Sequence, residues 1–134
     1  MGSFADYLEN EILDHVFGGA DYARPATLYV GLSTTTITDA GGNITEPSGG
    51  SYARVAVTNN DTNFPAASSG AKSNGTAISF TEATGSWGTV TDFFIADASS
   101  GGNILAYGAL DESKTVSSGE TISFAVGALD ITLS

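Results

Sequence analysis

The sequence has no cysteine, one histidine and only four basic residues, Arg24, Arg54, Lys72 and Lys114, against 15 acidic ones. Without cysteine there is no disulfide framework and no thiolate to ligate a metal or act as a nucleophile. Four cations in a chain of net charge −11 cannot form the basic patch that displaces counterions from nucleic acid. The same shortage argues against attraction to an anionic membrane surface. No apolar run reaches the roughly 18 residues that a transmembrane helix needs. The first residues, MGSFADYLENEILDHVF, lack a basic n-region and a long apolar h-region, so they do not read as a secretory signal.

Charge of either sign is sparse, at 14 % of the chain, whereas 41 % is apolar. That is too apolar for an acidic disordered tail. The length of 134 residues corresponds to one domain with a modest core. Gly, Ser and Thr supply 49 residues, so the surface is built largely of small neutral groups. Such a surface suits a protein that packs against copies of itself or a large scaffold, where desolvating charges would be costly.

Residues 3–17 form the single helical pattern. Phe4, Leu8, Ile12 and Val16 recur every four positions, and Tyr7, Leu13 and Phe17 widen the stripe. Ser3 and Asp6 have capping-box spacing, and Gly18-Gly19 supplies a stop. From residue 26 onward the pattern is strand and turn. Strands are expected over 26–33, 51–58, 77–81, 89–97, 103–110, 121–126 and 129–133, with Ala53, Val55 and Val57 sharing a face. The 89–97 strand is apolar on both faces around Phe93, Phe94 and Ile95, which marks it as central. Residues 99–103 read as a hairpin loop, and the Gly/Ser-rich 67–75 as a loop. The expected architecture is mainly β: an antiparallel β-sandwich or jelly-roll-like domain over 21–134, with one N-terminal amphipathic α-helix and turn over 1–20.

Chemistry-bearing motifs are scarce. G-x-S-x-G, G-x-G-x-x-G and the EF-hand loop are all absent. His15 lies beside the helical stripe with no nucleophile marked to partner it, which favours a helix-end role. Asp61 with Asn59, Asn60 and Asn63, or Asp39 with Asn43, would hold Ca²⁺ weakly; a solvated turn is the plainer reading of both. A buried Asp92 would need a partner, and Arg54 is the expected one. Trp87, Tyr29, Tyr52 and Tyr107 are either a sugar-stacking platform or core aromatics. Asn43, Asn60 and Asn74 begin glycosylation sequons, discounted in the absence of a secretory signal. No catalytic residue, cofactor or metal site is assigned.

ADYLENEILDHVFGG (5–19), PATLYVGLSTTTITDAG (25–41), EPSGGSYARVAVT (46–58), the run from Phe64 to Asp97 and GGNILAYGAL (101–110) together resemble a family of small tailed-phage and prophage virion structural proteins. The most telling pieces are ATLYVGL, the Gly-Gly-x-Tyr-Ala-Arg segment at 49–54, and WGTVTDFFI. The resemblance runs from about Phe4 to the last strand and brings no catalytic residues. It implies synthesis in the cytoplasm of an infected bacterium and assembly onto a virion. The expected role is a capsid decoration (cement) protein on the head surface, touching the major capsid protein, copies of itself or other virion proteins. The alternative is a tail or tail-fibre-associated module that binds glycans through its aromatics. Phe4, Tyr7, Leu8, Ile12 and Phe17 are the expected contact residues.

Overall fold

The computed structural model describes residues 2–133. The elements are β1 (Gly2–Phe4), α1 (Asp6–Val16), β2 (Thr27–Ser33), β3 (Val55–Thr58), β4 (Ala71–Ser73), β5 (Ile78–Ser79), β6 (Gly88–Ala96), β7 (Ile104–Val116), β8 (Ser123–Phe124) and β9 (Asp130–Thr132). Seven strands make one curled sheet in the order β3-β2-β6-β7-β1-β9-β4, and β5 pairs with β8 in a second, two-stranded sheet. The domain is mainly β, as expected. Among the described residues all strand pairings are antiparallel except β1 with β9, which run parallel with Gly2 opposite Ile131.

The central-strand reading of β6 holds. Phe93 and Ile95 face a large core that includes Val30, Leu32, Phe80, Trp87 and Leu129. Phe94 and Ala96 face a smaller cluster with Ile37 on the other side, against which Ile44, Ile104 and Tyr107 pack. Alternation along a strand sends successive side chains to opposite faces, so a strand apolar at every position must be covered twice. The hairpin loop expected at 99–103 is present, between β6 and β7. Asp97 accepts hydrogen bonds from the Asn103 backbone and side-chain amides, at 2.7 and 2.9 Å.

Three local expectations fail. Ser3 is not the helix cap: it lies inside β1, opposite Tyr107, and Ala5 is the N-cap residue without a side-chain bond. Backbone carbonyls of neighbours take over at this end, with Ala5 N–H donating to Leu105 O and Asp6 N–H to Asp39 O, both at 2.9 Å. The 67–75 segment is not all loop, because Ala71–Ser73 pairs with β9. Asn74 just after it is buried. Its amide donates to Thr76 O (2.8 Å) and Ala125 O (3.0 Å), and its carbonyl accepts from Leu129 N–H (3.0 Å). Finally, β3 starts at Val55, leaving Ala53 exposed, because residues 49–54 fold as a turn with Gly49, Gly50 and Ser51 at positive φ.

That turn anchors a buried polar network. Arg54 grips Glu46 with two bonds, Nε to Oε1 at 3.0 Å and a terminal nitrogen to Oε2 at 2.9 Å. Its other terminal nitrogen donates to Ala98 O and Gly101 O, at 2.7 and 2.9 Å. Tyr52 OH donates to Glu46 Oε1 at 2.8 Å and accepts from Leu32 N–H at 3.0 Å. The expected Arg54–Asp92 pair therefore does not form. Buried Asp92 instead accepts from Thr91 Oγ1 (2.8 Å) and Ile37 N–H (3.4 Å). Arg54 satisfies its planar fork better on a carboxylate that also receives the Tyr52 hydroxyl.

Candidate functional site

The helix does not sink into the core: none of its residues is fully buried. Leu8 and Ile12 face back toward the sheet and, with Phe4 of β1, form one wall of an apolar cleft of about 230 Å³. Leu28, Ile95, Ala106 and Ile131 contribute from the strands, and Phe64 and Leu129 from the segments between them. Tyr22, Arg24 and Lys72 also line it. The cleft continues past Phe4, Lys72 and Ile131 into a second apolar recess of about 210 Å³ reaching Gly70 and Leu133.

The structure thus brings Phe4, Leu8 and Ile12 of the five expected contact residues to one place. Tyr7 is half-buried, and Phe17 stands 80 % exposed beyond the end of α1. Leu13 and Val16 are exposed with it, at 55 % and 59 %. The apolar stripe is longer than the surface beneath it, so its last turn overhangs. His15 ties this overhang to the chain that follows. Tyr22 N–H donates to His15 Nδ1 at 3.1 Å, and an Asp21 carboxylate oxygen stands 3.7 Å from the same atom. The cleft itself was not legible in the sequence, since its lining comes from segments as distant as Phe4 and Ile131.

The aromatic platform does not assemble. Trp87 is 3 % exposed, packs edge-on against Tyr52 at 5.3 Å, and donates its indole N–H to Gly50 O at 2.9 Å. Tyr107 lies against the other apolar cluster and donates to Asp39 Oδ1 at 2.8 Å. Tyr29 is half-buried on β2. A buried indole and tyrosines divided between two clusters offer no common face for a sugar.

The suggested Ca²⁺ turns are spent internally as well. Asn63 donates to Thr58 O and accepts from Thr76 Oγ1, Asn60 Oδ1 accepts from Asn63 N–H, and Asn59 donates to Pro25 O. Asn43 donates to Thr36 O. Asp39 instead lies with Asp6 and Glu9, whose exposed carboxylate oxygens fall within 4.8 Å of one another at the start of α1. Three carboxylates that close are a possible cation ligand set by chemistry alone; one of the three already holds the Tyr107 hydroxyl.

Two carboxyls are held below their usual range. For Glu46 burial pushes upward, but the bonds from Arg54 and Tyr52 and the Arg54 charge outweigh it. For exposed Glu120 the Ser117 N–H acts first and Lys114 second. Tyr52 is shifted the other way, held protonated chiefly by burial.

Fold and surface together define a small, mainly β domain with one overhanging helix and an apolar cleft beside it. Residues 3–132 match the family described as Gp80, Podophage GP4 fiber I protein gp80, and the chain belongs to that phage virion structural family. No curated protein matches the chain. No helix is long and apolar enough to cross a membrane among the described residues.

Proposed function

We propose that this protein is a non-enzymatic structural component of a phage fibre, attached to the particle through protein–protein contacts. The family match across residues 3–132 carries this reading, because its description names a fibre protein. It favours the tail-fibre alternative over capsid decoration. The surface supports a role in assembly: apolar side chains are presented at the end of α1 and in the cleft beside it. The partners are copies of this chain or other virion proteins, and Phe4, Tyr7, Leu8, Ile12 and Phe17 belong to the contact region. Burial of Trp87 removes the main reason to add glycan binding to the fibre role.

The test is localisation on intact particles by cryo-electron microscopy, with antibody labelling of this chain. Density or label confined to the fibres supports the proposal. Label at regular lattice points over the head replaces it with the decoration role, and absence from the particle removes both.

A further inference from the structure

We propose that the apolar cleft beside α1 receives the overhanging last turn of α1 from a second copy of the same chain. The two surfaces are both apolar and carry opposite charges. The donor surface is Leu13, Val16 and Phe17, all more than half exposed. It is flanked by Asp14 and by Asp21, whose side chain is completely exposed. The receiving surface is the cleft lined by Leu8, Ile12 and Ile131, with Arg24 and Lys72 among its lining residues.

Those two cations are the ones left over. Arg54 is paired with Glu46 at 2.9 Å and Lys114 with Glu120 at 3.2 Å. Arg24 and Lys72 have no ion-pair partner among the described residues, and both are exposed. In a chain of net charge −11, two unpaired cations beside one apolar cleft favour an apolar occupant that carries carboxylates. The last turn of α1 is such an element. Size agrees as well: a cavity of about 150 Å³ takes up a benzene ring, so about 230 Å³ accommodates the Phe17 ring with space beside it.

A copy cannot satisfy its own cleft this way, because Leu8 and Ile12 of the same helix already form the cleft wall while Val16 and Phe17 project beyond it. Reciprocal exchange gives a closed two-fold pair, and one-way docking gives a ring or filament. Either geometry covers the donor residues. The inference goes beyond the fibre reading and does not depend on it: self-association is measured on purified protein, whereas particle location is not.

The test is analytical ultracentrifugation of the full chain from micromolar to millimolar concentration, at low and high salt. The expected result is a mass that rises above 13.6 kDa with concentration and falls back as salt screens the charges. Phe17→Asp and Lys72→Glu are each expected to weaken association by about tenfold or more, the equivalent of ~1.4 kcal/mol. Adding Asp14→Lys to Lys72→Glu is expected to recover part of the loss. All three positions are exposed, and circular dichroism checks that each variant is folded. Arg24→Glu replaces Lys72→Glu if the latter misfolds. A single 13.6 kDa species at every concentration overturns the inference, as does wild-type association in the folded Phe17→Asp variant or in the charge-reversed one.

Discussion

The Phe94 ring lies against Gly31, its partner residue on the adjacent strand, in the space that a side chain at position 31 would otherwise occupy. Arg54 covers the same ring from outside, its guanidinium carbon 4.9 Å from the ring centroid. Glycine, aromatic and cation therefore form one stack over the centre of the sheet.

Gly31→Ala should be destabilising out of proportion to one methyl group. The added Cβ would overlap the ring of Phe94, which is completely buried. Overpacking of this kind costs about 1–3 kcal/mol. Urea unfolding should place Gly31→Ala near the upper end. Adding Phe94→Leu should make the double mutant less unstable than the sum of the single changes, because the two residues share one space.

Glu46 links stability to pH. Its carboxyl binds protons less tightly in the folded protein than in the unfolded chain. Its stabilisation is therefore complete above the ordinary carboxylate range, near about 4.3, and is lost as pH falls through the lower folded value. Glu120 acts in the same direction, but as an exposed group screened by salt. Glu46→Gln should lower stability at pH 7 and flatten the loss between about pH 5 and 3. An unchanged acid slope in thermal melts would show that other carboxylates control it.

Arg54→Lys should destabilise the fold even though it keeps the charge. The arginine makes four hydrogen bonds from its planar fork, and its guanidinium carbon lies 4.9 Å from the Phe94 ring centroid. Lysine keeps the charge but not the fork, leaving acceptors on Glu46, Ala98 and Gly101 without their donors. The loss should be about 1–3 kcal/mol in denaturant titration.

Asn74→Ala should cost about 1–3 kcal/mol, through three backbone groups that lose their partner at once, of which the Leu129 N–H is buried. Hydrogen exchange should show the effect first at Leu129, whose N–H bonds directly to the missing carbonyl. Phe17→Asp, by contrast, should stay within about 0.5 kcal/mol of the parent when the protein is monomeric, as expected for an exposed position.

The elements with strong periodicity were readable from sequence. The two-sided apolar run of β6 and the four-residue stripe of α1 each left a pattern longer than a turn. The elements that were missed had none. β1 has three residues and β4 reads Ala-Lys-Ser; both are strands because neighbours supply hydrogen-bond partners. β7 runs on to Val116 through Asp-Glu-Ser-Lys, six residues past the expected strand end at 110, because it pairs with β6 after an irregularity in register. The Tyr-Ala-Arg segment was legible as distinctive but not as structural. Its partner Glu46 lies eight residues away, with nothing in the intervening sequence to mark the pair. The cleft was invisible for the same reason on a larger scale: a helical stripe shows that a helix has an apolar face, but not how much of that face its own domain covers.

The short β1 strand joins β7 on one side and β9 on the other, and so connects the two ends of the chain within one sheet. β1 leads away from the N-terminal end and β9 leads toward the C-terminal end, and the two run in the same direction. A pull applied between residues 2 and 133 would therefore slide β1 along β9 rather than unzip them. The load would fall on the Gly2–Ile131 pairing and on the Thr132 hydroxyl, which donates to Gly2 O at 3.3 Å, together instead of one after another.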